Sequence, residues 1–337
     1  MTRTKLFARL APIALTAIAL IMARPAASFT PQVNVSNTGI AFVNHWNLAT
    51  IHYTINPTLV PDMVGTQAQA KTAIQNAFNA WPAAPNTALS VAEDADSAII
   101  DPNAVPAGTN LICFVCTNGL NFNNTDGTLA VTITTSDASG VISQANMFFN
   151  PNLTGSLAAP GACFTVGITS NFCPNGFDFT QDLQTVAVHE AGHFFGLDHS
   201  AVARAIMFPF APQILQTLSW DDVAGISFLY PKNIPDVPIG TISGTVRLSS
   251  NGVFAAHVFA NSTTNSDLYT TFGFANLRKS PVGTLSLPDG TYTLQGLPVD
   301  TYQVIAEPLD GPVTANNVDW GLNFRLAVPT NFTTRWH

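Results

Sequence analysis

The chain has 337 residues, enough for about two domains, and only 9% of them are charged, against roughly 25% in an ordinary soluble domain. Its formal net charge of −8, with no cluster of Lys or Arg beyond the first residues, excludes a basic nucleic-acid-binding protein. An apolar content of 47% excludes a disordered chain. Glutamate is especially rare, since Glu93, Glu190 and Glu307 are the only ones among 20 acidic residues. This composition favours strands over helices.

Residues 1–28 have the organisation of a secretory signal peptide. Arg3, Lys5 and Arg9 form a positive start, Leu10–Ala23 is apolar, and small residues follow at the expected cleavage site. Because the apolar run is shorter than the roughly 20 residues that cross a membrane, a cleaved signal is favoured over a membrane anchor. We therefore expect a secreted, extracellular protein with no membrane span in the mature chain. The periplasm and the cell surface are the alternative locations.

Four cysteines, an even number in a chain that leaves the cytosol, predict two disulfides. They are Cys113, Cys116, Cys163 and Cys173. A zinc ribbon or a redox motif is the alternative for the first pair, but the second pair lacks that spacing. Three pairings are open, and the local one, which joins each cysteine to its nearer neighbour, is mildly favoured.

Residues 29–231 are expected to form an α+β domain. Strand-like alternation and helical spacing of apolar residues follow one another along this segment. The predicted strands are Thr50–Asn56, Thr128–Thr135 and Gly140–Phe149, and the predicted helices are Thr66–Trp81, one that starts near residues 178–182 and one that starts at Ser219. The last helix has a capping sequence, because Ser219 is followed three residues later by Asp222.

The composition changes at residues 232–240, where two prolines and a glycine predict a stiff linker with little to bury. Residues 241–337 show no helical period, and short alternating runs separated by turns predict an antiparallel β-sandwich. The predicted strands are Thr241–Leu248, Ala256–Ala260, Thr291–Gln295 and Tyr302–Ala306. The chain ends abruptly at residues 335–337, which leaves open whether the sandwich is complete.

The segment His189–His199 carries the strongest functional signal of the sequence. His189 and His193 are four residues apart, so on a helix they stand one turn apart on one face and can bind one metal ion. Gly196 can adopt a positive φ and end the helix, which lets His199 approach the same ion. Three imidazoles leave the fourth position of a tetrahedral zinc open, as a catalytic site requires.

Glu190 follows the first predicted ligand and is placed beside the metal ion instead of binding it. Zinc lowers the pKa of a bound water from 15.7 to roughly 7, so a neighbouring carboxylate can take its proton. We expect Glu190 to act as a general base toward this water and then as a general acid toward the leaving amine. The predicted reaction is the hydrolysis of peptide bonds.

This motif resembles that of the metzincin zinc endopeptidases, and Ser200 directly after the third histidine resembles the matrixin branch. Met207 is similar to the methionine of the turn that lies beneath the metal in that family. Similarity extends to Ala77–Trp81 and to Leu218–Ile226, so it covers residues 46–231 discontinuously. The resemblance implies a metzincin-type domain, with a twisted mixed β-sheet and three helices.

The resemblance implies further features of the site. Val141–Asn150 would be the edge strand that pairs with an extended substrate, and Pro209 with Phe210 would line the S1′ pocket just beyond the cleaved bond. The family's propeptide cysteine, which blocks the zinc, is not expected, because all four cysteines lie inside the catalytic region. No histidine occurs between His52 and His189, so we expect one zinc ion per molecule.

Calcium is an open question at this stage. Asn123–Gly127 and Asp137–Gly140 offer oxygen ligands in loops. Ordinary turn chemistry explains the same residues equally well, so we assign no calcium ligands.

Residues 239–310 resemble the carboxypeptidase regulatory-like, transthyretin-like sandwiches, on the pieces Ile242–Val246, Asp289–Tyr292 and Gly296–Pro298. This resemblance implies a fold but no ligand. The function that the sequence favours is a secreted zinc metalloendopeptidase of the EC 3.4.24 type, acting on protein or peptide substrates. The alternative is a secreted binding or adhesion protein in which the zinc helix is structural and the β-sandwich is the working part.

Overall fold

A computed structural model describes residues 29–36, 40–60, 63–116, 122, 127–153, 163–166, 180–212, 214–264 and 277–336. The predicted signal peptide, Cys173 and residues 123–126 of one predicted loop lie outside the described residues. Within them strand residues outnumber helical ones, as the composition predicted. No helix of this part of the chain is long and apolar enough to cross a membrane.

In the described residues of the first half, three helices combine with a mixed set of strands. The strands are β1 (Val33–Val35), β2 (Ala41–Val43), β3 (His45–Trp46), β4 (Ile51–Asn56), β5 (Met63–Val64), β6 (Val91–Glu93), β7 (Leu111–Cys113), β8 (Ala130–Ser136), β9 (Val141–Phe149), β10 (Cys163–Thr165) and β11 (Thr180–Asp182). The helices are α1 (Gln67–Ala80), α2 (Leu183–Phe194) and α3 (Trp220–Leu229). These elements confirm the predicted strands and helices to within a few residues.

The main sheet has the order β3-β9-β7-β4-β6, with β8 added along β9. Its strands are parallel except β8, which pairs antiparallel with almost the whole of β9. Strand β9 therefore has neighbours on both sides, and the prediction that Val141–Asn150 forms the edge strand is wrong. Alternation of apolar residues identifies a strand but not its neighbours, and among the described strands the edge position beside β9 belongs to β8.

Helix α1 begins at Thr66, whose hydroxyl accepts from the backbone of Gln69 while the Gln69 side chain accepts from Thr66, a capping box. Its buried face includes Ile74 and Phe78 and packs against α2. Helix α3 has the predicted cap at Ser219. Each helix thus buries one face against the sheet or a neighbouring helix, which leaves α2 in the middle of the core.

The described residues of the second half form two sheets, a small hairpin and a short helix. Its elements are β12 (Ile239–Thr245), β13 (Arg247–Leu248), β14 (Asn251–Gly252), β15 (His257–Ser262), β16 (Val282–Leu285), β17 (Thr291–Pro298), β18 (Tyr302–Glu307), α4 (Trp320–Phe324) and β19 (Arg335–Trp336). One sheet has the order β16-β15-β18-β19, and the other pairs β12 with β17. Helix α4 was not predicted, because five residues are too few to show a helical period.

The two halves share one hydrophobic core, which runs from the first helices to β15 and β17. Helix α3 packs against β16 and β17. Val237 is fully buried, and both its backbone N–H and its carbonyl are hydrogen-bonded to the side-chain amide of Asn86, at 2.9 and 3.1 Å. The segment 232–238 is thus attached to the first half, while the division of the chain into two domains joined by a linker stays a prediction.

Candidate metal centre

Helix α2 carries two of the predicted ligands and ends where the chain must turn back toward them. Gly196 follows the helix with φ +100°, and a Cβ at this position would lie 2.4 Å from the carbonyl oxygen of Asn44. Only glycine satisfies both conditions. The turn returns the chain so that His199 faces His189 and His193.

The three histidines converge on a single point. Their ligand atoms all lie within 4.8 Å of one another. The ring centroid of His193 lies 4.8 Å from the ring centroid of His189 and 4.8 Å from that of His199. Of the residues that the structure describes, these three form the one group of His, Cys, Asp or Glu with the geometry to hold a metal ion.

Each imidazole is fixed through the same ring atom. Nδ1 of each histidine lies within 2.8 Å of a backbone carbonyl oxygen, and the pairs are His189 with Ile206 (2.7 Å), His193 with Leu197 (2.8 Å) and His199 with Asn317 (2.6 Å). A carbonyl oxygen can only accept a hydrogen bond, so Nδ1 carries the proton in all three rings. The lone pair of each Nε2 is therefore free for a metal ion.

The protonation state of the three rings also suits a metal ion. Burial and, second to it, the charge of His199 lower the pKa of His189 to about 3. Burial likewise lowers the pKa of His193 well below its ordinary value and lowers that of His199. Three neutral imidazoles that present Nε2 match the donor set of zinc, so the residues fit this ion.

Glu190 is buried beside this group. Its Oε2 lies 2.7 Å from the hydroxyl of Thr132 on β8, which donates a hydrogen bond to it. Burial raises the pKa of Glu190 to about 7, although the hydrogen bond from Thr132 opposes the shift. The other two glutamates have cationic or histidine partners, since Glu93 pairs with Lys71 and Glu307 with His257. Glu190 has no such partner among the described residues.

Met207 lies directly against α2. It is 2% exposed, and a Cβ on Gly192 would lie only 2.2 Å from its sulfur. The backbone carbonyl of Met207 accepts from the N–H of Ser200 at 2.8 Å. The structure therefore places this methionine beneath the helix that carries the first two histidines.

Two buried carboxylates at the start of α3 hold the loop around the methionine. Asp222 accepts from the backbone N–H of Met207 at 3.2 Å and of the preceding residue at 2.8 Å. Asp221 accepts from the hydroxyl of Ser200 at 2.6 Å and from the backbone N–H of Gly283 at 2.7 Å. The sequence predicted Asp222 as a helix cap but gave no signal for its contact with the loop.

The remaining predicted residues are more dispersed. Phe210 is 53% exposed and its ring meets that of Phe208 edge-on at 5.8 Å.

Cys113 and Cys116 form a disulfide, and Cys163 is also disulfide-bonded. In the second predicted calcium loop, the carboxylate of Asp137 accepts hydrogen bonds from residues 139 and 141, as in an ordinary turn.

Comparison with known proteins gives matches in the same region. The sequence profile of the matrixin family, peptidase M10, matches residues 45–231. The chain is 27% identical to metalloendoproteinase 1-MMP of Arabidopsis thaliana over 209 residues, which are 61% of this chain and 50% of that protein. It is 50% identical to metalloendoproteinase 1 of Glycine max over 54 residues, 15% of this chain and 18% of that protein. It is 40% identical to stromelysin-3 of Xenopus laevis over 79 residues, 23% of this chain and 16% of that protein.

The fold and the site define an α+β protein with a three-histidine centre for a single metal ion. Because the family profile covers more than half of its length, the chain belongs to the matrixin family. Its alignments span half the length or less of these relatives. The zinc dependence of this family is consistent with the three histidines that the structure brings together.

Proposed function

We propose that this protein is a secreted zinc-dependent endopeptidase. The observation that carries the proposal is the set of three neutral imidazoles, each held at Nδ1, beside the buried carboxyl group of Glu190, which has no cationic partner among the described residues. A structural zinc site has no use for a carboxyl group with a pKa near neutrality next to its ligands. The matrixin relatives, named as metalloendoproteinases, support the same activity.

His189, His193 and His199 would bind the zinc ion through Nε2. When bound, zinc supplies Lewis acidity that polarises the scissile carbonyl and activates water for attack. Thr132 occupies Oε2 of Glu190, so Oε1 remains to take the proton from the attacking water. Glu190 would then deliver this proton to the nitrogen of the leaving amine.

The edge strand β8 would bind the substrate. One side of β8 pairs with β9, and in the described part of the chain no strand pairs with its other side. An extended peptide can add to such an edge through backbone hydrogen bonds. Thr132 lies on β8 and contacts Glu190, so a peptide bound along this strand would pass directly by the catalytic carboxylate. Pro209 and Phe210 would line the S1′ pocket.

Several finer features belong to the same proposal. Cleavage of residues 1–28 and export would place the enzyme outside the cell, where the disulfide of Cys113 is stable. The second half, with its two antiparallel sheets, would form the regulatory-like β-sandwich. One zinc ion per molecule is proposed, and no calcium ligand is assigned.

The decisive experiment compares two glutamate variants. The purified protein should cleave an unfolded protein substrate, and a chelator should abolish this cleavage. Glu190→Gln should lower kcat by about 10² to 10⁴ while the protein keeps its zinc, measured by elemental analysis. Glu93→Gln, a matched change at the glutamate paired with Lys71, should retain activity. If Glu190→Gln cleaves as fast as the parent, the proposed mechanism is wrong.

A further inference from the structure

The third metal-binding histidine is held by the second half of the chain. For His193 the carbonyl that fixes Nδ1 is four residues away, and for His189 it is 17 residues away. For His199 it belongs to Asn317, which is 118 residues away. One of the three ligands therefore depends on a backbone group from the far end of the chain.

The side chain of Asn317 closes the turn that directs its own carbonyl. Ala315–Asn317 is a single 3₁₀ turn. The Oδ1 of Asn317 accepts from both the backbone N–H and the hydroxyl of Thr314, each at 2.9 Å, and the N–H of Asn317 donates to the carbonyl of Thr314 at 2.9 Å. These three hydrogen bonds fix the orientation of the peptide group that His199 meets.

Residues on the far side of this turn add a second polar contact and an apolar anchor. The backbone N–H of Asp319 donates to Oδ2 of Asp198 at 3.1 Å, while Oδ1 of Asp198 accepts from the N–H of His199 at 2.7 Å. Val318 and Trp320 are buried in a cluster against which Phe208 packs. The segment thus contacts the metal centre next to His199 and next to the methionine loop.

We propose that residues 314–320, here called the clamp, are positioning residues for the metal centre, so that zinc occupancy and docking of the clamp stabilise each other. The proposal rests on the zinc site proposed above. A carbonyl partner at Nδ1 fixes the tautomer and the ring orientation of a ligand, and loss of such a partner typically weakens metal binding by about 10- to 100-fold. By reciprocity, zinc must stabilise the docked clamp by the same factor.

The first test measures zinc affinity without any substrate, by competition with a chromophoric chelator. Asn317→Ala removes the acceptor that closes the turn and so frees the orientation of the carbonyl that holds His199, which should weaken zinc binding by at least about threefold and by up to the roughly 10- to 100-fold expected for loss of the partner itself. Asn317→Asp keeps an acceptor at this position and should bind zinc at least as tightly as the parent. Asp289→Ala is the matched control, because Asp289 closes a similar turn by accepting from the N–H and hydroxyl of Thr291, and it should leave the affinity unchanged. Equal affinities for parent and Asn317→Ala would overturn the proposal.

The second test needs no variant and so is independent of any folding defect. Hydrogen exchange of the parent should show the N–H groups of Asn317 and Asp319 exchanging at least about tenfold faster without zinc than with it. The paired amides of β15 and β18 should not change. If the clamp amides exchange equally fast with and without zinc, the coupling is refuted. Neither test requires peptide cleavage, so failure of the proposed enzyme activity and failure of the clamp give different results.

Discussion

Gly192 lies in α2 between the first two histidines, and its replacement by alanine tests how closely the helix packs on the methionine loop. An added Cβ would lie 2.2 Å from the sulfur of Met207 and 2.9 Å from Cζ2 of Trp81. Favourable contacts need roughly 3.5 to 4.0 Å. One of the two side chains must therefore move by more than about 1 Å, far beyond ordinary relaxation.

Neither neighbour can move freely. Met207 is 2% exposed, and Trp81 is fully buried with its Nε1 hydrogen-bonded to the carbonyl of Val188 at 3.0 Å. Alanine gains about 1 kcal/mol over glycine in a helix interior, whereas overpacking costs about 1 to 3 kcal/mol. Because the overlap is severe, we take the upper value. Gly192→Ala should then lower the free energy of unfolding by about 2 kcal/mol.

Urea unfolding in the presence of a chelator measures this effect without any contribution from zinc. Gly225→Ala in α3 is the control, since its Cβ would meet Leu197 at 3.0 Å and Phe29 at 3.1 Å. A shift of a few tenths of an ångström relieves these contacts, so the helix gain should nearly cancel the cost. A Gly192→Ala protein as stable as the parent would refute the packing argument.

Three further predictions follow from buried groups and the disulfide. Burial raises the pKa of Asp221 to about 7, so the native state holds this proton more tightly than the unfolded state. The free energy of unfolding of the parent should therefore decrease as the pH rises from about 4 to 7. Asp221→Asn should remove up to about 1.4 kcal/mol of this decrease per pH unit. If the unfolding free energies of parent and variant change in parallel with pH, this reasoning is contradicted. Trp81→Phe removes the hydrogen bond from the indole N–H to the carbonyl of Val188 and part of a fully buried ring, and it should lower the unfolding free energy by about 1 to 3 kcal/mol. Replacing Cys113 and Cys116 by serine opens a very short loop and should cost about 2 kcal/mol, whereas a loss well above that would show that the disulfide does more than close this loop.

The sequence was most informative where the relevant contacts are local. The spacing of His189, His193 and His199, with Gly196 between the last two, indicated a shared centre, and the structure brings the three rings together. Caps at Thr66 and Ser219 were equally visible, because a cap involves residues only three positions apart.

Contacts between distant segments left no such signal. Thr132 reaches Glu190 across 58 residues, and Asn317 reaches His199 across 118 residues through a backbone carbonyl that any residue could supply. The wrong prediction of β9 instead of β8 as the edge strand has the same origin, because the pairing of strands depends on their neighbours in three dimensions. The contact of the second half with the metal centre was therefore beyond sequence reasoning.

The protonation of the metal centre has a consequence for its overall charge. All three ligands are neutral, and Glu190 and Asp198 both have pKa values raised to about 7 by burial. A divalent cation bound here would bring two positive charges close to these two carboxyl groups and would favour their ionised forms. In a chain with only three glutamates, the carboxylate proposed to move the proton in the reaction would thus also supply part of the counter-charge for the ion.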